Sequence, residues 1–120
     1  MTTRWEVPVE GQIADELLAD LHAGPIVDEK GRRLLTEAKV GAFGGFRVDI
    51  FADEHPPPHF RVQYAGQTAN FRISDGAKMN GGLDRFQRNI HQWYLANREL
   101  LILKWNTMRP SDCPVGVYSD

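Results

Sequence analysis

Two short runs of alternating side chains, separated only by Ala65-Gly66, constrain this chain more than any other feature. In the first run Phe60, Val62 and Tyr64 point one way while His59, Arg61 and Gln63 point the other; in the second, Ala69, Phe71 and Ile73 oppose Thr68, Asn70 and Arg72. A period of two marks a half-buried strand, and a two-residue link ending in glycine suits a tight antiparallel hairpin. Such a link sets the register: Tyr64 meets Gln67, Val62 meets Ala69, Phe60 meets Phe71, Arg61 meets Asn70 and His59 meets Arg72. One face of the hairpin is then apolar. The other gathers His59, Arg61, Gln63, Asn70 and Arg72.

Upstream, Phe46, Val48 and Ile50 alternate with Arg47 and Asp49, which predicts a further half-buried strand. Downstream, Phe86, Ile90, Trp93 and Tyr94, then Leu100, Leu101 and Trp105, recur at three- and four-residue spacing, the pattern of helices packed on the sheet. Asn97 is placed as a break between two helical pieces. The run Leu100 to Leu103 is apolar all round and is expected to be deeply buried. Leu83-Asp84 reads as the N-cap region of the first piece. Near the start, Ile13, Leu17 and Leu21 are four apart with acidic residues between them and Gly24-Pro25 behind, predicting a short helix over 12–22. Residues 25–42 suit either a hairpin or a loop entering a second short helix, and the reading leans to the helix.

The expected fold is therefore α+β: a three-stranded, mainly antiparallel sheet packed on one face by C-terminal helices, with an N-terminal helical arm. Residues 1–42 form the helical extension and 43–120 the main domain. A length of 120 residues with 42% hydrophobic and 25% charged side chains allows one modest core. No apolar run is long enough for a membrane span and the first residues lack the apolar stretch of a secretory signal, so the expected location is the cytoplasm. The single cysteine, Cys113, cannot form an internal disulfide, which agrees with a reducing compartment.

The formal net charge of −2 hides an asymmetry. Residues 1–42 carry five basic and eight acidic side chains, whereas 59–110 carry eight basic and three acidic, a balance of +5. An anionic partner would be drawn to the second part.

Before the hairpin lies Glu54-His55-Pro56-Pro57-Pro58-His59-Phe60-Arg61-Val62, where a stiff proline run holds two imidazoles a short distance apart. From about Phe43 onward the chain resembles a small bacterial family catalogued as domain of unknown function 4160. The resemblance rests on Glu54-His55, Pro57-Pro58-His59-Phe60, Val62 and Tyr64 with its glycine turn, then on Trp93, Arg98-Glu99-Leu100 and Trp105. Family members usually have a third histidine where this chain has Arg61, a departure that favours anion contact over a three-histidine metal site. The family has no settled activity. Its members are discussed as small, mobile, toxin–antitoxin-like proteins, an association that supplies no mechanism.

The residues leave several chemistries open. His55 and His59 with Asp53 or Glu54 form a conceivable ligand set for a borderline divalent ion, yet imidazoles beside a proline turn more often bond to its carbonyls, so neither a metal nor another cofactor is expected. His59, Arg61 and Arg72 on one sheet face match phosphate or carboxylate oxygens, with Gln63 and Asn70 beside them. The competing reading is a solvated face whose arginines pair with Asp49 or with carboxylates of the N-terminal arm. The favoured function is a small interaction module, a toxin–antitoxin-like component binding nucleic acid or a small partner protein through this face. One alternative is a metal-independent ribonuclease using His55 and His59 with Arg61 and Arg72; another is a purely structural protein-binding domain. A homo-oligomer is compatible with each, and a membrane partner with none.

Overall fold

A computed structural model describes residues 5–33, 45–52, 58–109 and 118. Strands β1 (Trp5–Val9), β2 (Arg47–Ala52), β3 (His59–Tyr64), β4 (Gln67–Arg72) and β5 (Lys78–Gly81) form one antiparallel sheet in the order β1-β2-β3-β4-β5. Helix α1 (Gln12–His22) follows β1, and a single-turn 3-10 helix (Asp84–Phe86) leads into α2 (Gln87–Met108). The chain is thus α+β with a C-terminal helix, as expected, but the sheet has five strands rather than three.

The central hairpin has the register that its two-residue link requires, from Tyr64 opposite Gln67 to His59 opposite Arg72. Ala65 and Gly66 both have positive φ, 52° and 76°, the geometry of a type I′ turn whose twist matches that of the strands. Of the two additional strands, β1 comes from the region expected to be a purely helical arm. It lies at the sheet edge with Val7 and Val9 buried and Pro8 exposed, and a proline is tolerated there because an edge strand has one side free of ladder bonds. β5 is only four residues long, half-buried to exposed throughout, and so carries no alternating apolar signal.

Both helices pack on the inner face. Leu17 and Leu21 from α1 and Ile90, Leu101 and Trp105 from α2 join Val7, Ile50, Phe60, Val62 and Phe71 in one core. Phe60 is its centre: its ring stacks on Phe71 at 5.0 Å and on Tyr94 at 5.6 Å, and it meets Trp93 edge-on at 6.0 Å. Trp93 also donates from Nε1 to the Ile13 carbonyl at 2.7 Å, tying α2 to α1.

Two helical expectations are corrected. Asn97 does not break α2; it is buried, and its side chain donates to the Trp93 carbonyl one turn back, which satisfies it inside a continuous helix of 22 residues. The run Leu100 to Leu103 is not buried all round. Leu101 enters the core while Leu100 and Leu103 are 46% and 59% exposed, because a helix lying on a sheet buries one side only. Leu83 is the N-cap residue of the 3-10 turn and Asp84 lies in its first turn, as expected, although Asp84 pairs with Lys78 rather than capping through its side chain. In the N-terminal half, the described part of 25–42, residues 25–33, is a tight loop with Ile26 bridged to Arg33, and the expected second helix lies outside the described residues. Within the loop the Arg32 carbonyl accepts from the Val27 N–H at 2.8 Å.

Candidate functional site

The hairpin's polar side chains belong to the outer face of the sheet, the side away from α1 and α2. Antiparallel pairing aligns them in cross-strand rows. Pro8, Asp49, Arg61, Asn70 and Asn80 form one row, and Glu6, Phe51, His59 and Arg72 form the next. The expected residues His59, Arg61, Gln63, Asn70 and Arg72 therefore do share a face, and the other strands add neighbours to it.

Those neighbours change its electrostatics. Arg61 donates from Nη2 to Glu6 Oε1 at 2.8 Å, and the same nitrogen lies 3.8 Å from Asp49 Oδ2. Its guanidinium carbon sits 5.6 Å from the Phe51 ring centre, a cation–π contact. Arg47 donates from Nε to Asp49 Oδ2 at 2.7 Å. That hydrogen bond, and secondarily the Asp49 charge, raises the Arg47 pKa above its ordinary value. Arg72 grips Asp75 with Nε and Nη2 at 3.1 and 2.8 Å. The Asp75 carboxyl is held below the ordinary range, first by the Ala77 N–H it accepts and then by Arg72. Each arginine of the face has a carboxylate.

Asp49 is the unusual member. It is 1% exposed although it belongs to the outer row, and its Oδ1 finds no donor among the described residues. In the same row Asn70 donates to Asn80 Oδ1 at 2.6 Å, and its own Oδ1 is likewise buried without a donor among the described residues. Two unmatched acceptors thus flank Arg61. His59 is half-buried with its ring 5.4 Å from that of Phe51, tilted by 56°. Gln63 is exposed opposite Thr68.

Asp53, Glu54 and His55 lie outside the described residues, as does Cys113. Among the described residues no group of three or more potential ligands is close enough to hold a metal ion. No helix of the described residues is long and apolar enough to cross a membrane.

The competing reading, arginines paired with Asp49 or with carboxylates of the N-terminal arm, is what Arg47 and Arg61 show, although neither Glu6 nor Asp75 was singled out from the sequence. For Asp75 a signal existed, since Arg72 lies three residues earlier. No local signal picks Glu6 out from the other N-terminal carboxylates, because the contact spans 55 positions and depends on β1 joining the sheet.

An antiparallel sheet with one helix-covered face and one polar face defines a small α+β domain. Residues 45–106, just over half of the chain, match the family model described as Domain of unknown function (DUF4160), and the chain belongs to that family. No curated protein and no solved structure matches it.

Proposed function

We propose that the protein is a small binding module that docks one partner protein on the outer face of its sheet. The observation that carries this reading is the row through Arg61, where the cations are matched by carboxylates and the buried acceptors Asp49 Oδ1 and Asn70 Oδ1 lack donors. A phosphodiester chain brings only acceptors and negative charge, so it would have to displace Glu6 and Asp75 and would leave those oxygens unmatched. A polypeptide brings N–H donors and cationic side chains as well as carboxylates. The partner's docking segment is accordingly rich in donors and mixed in charge. A toxin–antitoxin-like pair is one setting for such a partner, a second small protein.

The ribonuclease reading has less support, since Arg61 and Arg72 are both engaged by carboxylates beside His59. Purification of the full chain at low salt tests both. The expected result is one protein in stoichiometric amount that is lost when the exposed residues change, Gln63→Glu with Arg72→Glu, and retained in a variant altered elsewhere on the surface. Copurifying nucleic acid lost with the same pair would replace the partner with nucleic acid. RNA cleavage abolished by His59→Ala would replace it with an enzyme.

A further inference from the structure

Where the first turns of α2 meet the loop after α1 and the turn before β5, the surface folds into a cleft of about 560 Å³. Its walls are fixed by buried side chains of α2. Asn89, fully buried, accepts from the Ile26 N–H through Oδ1 at 2.8 Å and donates through Nδ2 to the Gly24 carbonyl at 3.1 Å and Asp20 Oδ2 at 2.9 Å. Tyr94 donates its hydroxyl to the Ile73 carbonyl, holding the opposite wall. Gly76 lies so close against the helix that a Cβ there would stand 2.5 Å from the Tyr94 ring and 3.1 Å from His91 Nδ1. The cleft is built before any ligand arrives.

Its charged side chains divide into spent and unspent. Lys78 is paired with Asp84, and Asp28 with Arg32. Arg85, Arg88 and His91 follow one another at three-residue spacing along one side of the helix start, all exposed and all lining the cleft. Neither guanidinium has an ion pair or a hydrogen bond among the described residues, whereas Arg32, Arg33, Arg47, Arg61 and Arg72 each hold a carboxylate. Across the cleft Glu29 is the one lining carboxylate without a partner among the described residues.

We infer that this cleft binds a small phosphorylated molecule. Two guanidinium forks and an imidazole supply more directed donors than one carboxylate can accept, and they suit the three terminal oxygens of a phosphate monoester. Glu29 accepts from a hydroxyl or amine on the body of the ligand. The volume falls within the range of about 300 to 1,000 Å³ usual for small-molecule sites. A long polyanion is disfavoured because Asp28, Glu29 and Asp84 rim the same cleft. This site is independent of the sheet face.

The test is a titration of the full chain, followed through its backbone amides and arginine Nε–H groups by NMR, with inorganic phosphate, then ribose 5-phosphate, then chloride at matched ionic strength. Both phosphate probes should give saturable shifts confined to Gly76, Arg85, Arg88 and His91, and chloride none. Arg85→Gln with Arg88→Gln should weaken binding by about a hundredfold, roughly tenfold per lost charge-assisted contact, while melting stays unchanged. Glu29→Gln should weaken ribose 5-phosphate and leave inorganic phosphate alone. Non-saturating or scattered shifts, an equal response to chloride, or binding that survives the arginine pair would overturn the site. Tighter binding of a single-stranded oligonucleotide to the same residues would overturn the small-molecule assignment.

Discussion

Arg61 at the middle of the sheet and Arg88 at the start of α2 belong to the same basic stretch of sequence, yet they meet opposite circumstances. Arg61 is bonded to Glu6, close to Asp49 and set against Phe51, with its side chain 21% exposed. Arg88 is exposed in a cleft with no partner among the described residues. The balance of +5 over residues 59–110 therefore says where the cations lie along the chain, not where positive potential reaches solvent. Strand pairing brings Glu6 and Asp49 to the sheet arginines from outside that stretch. Among the described residues no carboxylate pairs with Arg85 or Arg88 at the helix start.

The strongest way to break this contrast is Arg61→Ala. It should cost about 2–3 kcal/mol in denaturant unfolding, because Asp49 is left buried with less compensation. An unchanged midpoint would mean that the sheet arginine is as dispensable as those of the cleft. Asn89→Ala comes next, at about 2 kcal/mol, since it leaves the buried Ile26 N–H without its acceptor. It should also loosen the cleft wall, visible as faster amide exchange at Ile26 and Val27. A wall that exchanges as slowly as before would show that the cleft does not depend on this side chain.

Smaller effects sharpen the comparison within the sheet. Arg72 and Asp75 are about half exposed, 49% and 53%, so Arg72→Ala should change stability by no more than about 0.5 kcal/mol, well below Arg61→Ala. Equal costs for the two would contradict the role given to burial at Asp49. The smallest effect is a dependence on pH. The folded Asp75 carboxyl is held below its ordinary range, so its contribution is complete above that range and fades as acid protonates it. The melting-temperature gap between wild type and Asp75→Asn should accordingly be wider at pH 7 than at pH 3; a constant gap would exclude this carboxyl as its source.

The hairpin was fully legible in the sequence because its information is local: alternation and a two-residue link specify register without reference to anything distant. Helix α1 was legible for the same reason, and its bounds are those the spacing of Ile13, Leu17 and Leu21 predicts. What escaped was set by tertiary pairing. β1 became a strand by joining β2 from across a gap that runs from Val9 to Val48, and no local pattern announces that. Leu100 and Leu103 were misjudged because composition alone cannot say which side of a helix has a neighbour. The candidate site was legible as a set of residues sharing a face. Its charge pairing was legible only as an alternative, without the identity of Glu6, which arrives with β1, and the cleft depends on Asn89, whose bonds to Asp20, Gly24 and Ile26 span more than 60 positions.

Pro8 also bears on how the protein behaves when concentrated. An edge strand offers a row of backbone groups onto which another molecule's strand can crystallise, the first step of fibril growth. A proline in the middle of β1 removes one donor from that row and stiffens the backbone around it, so an incoming strand meets a gap in its ladder. At the other margin β5 offers only four residues and ends at Gly81, too brief a template for a stable addition. Both margins discourage stacking of one copy upon another. A sheet with a polar outer face can thus present its exposed side chains to a partner without inviting endless self-association along its edges.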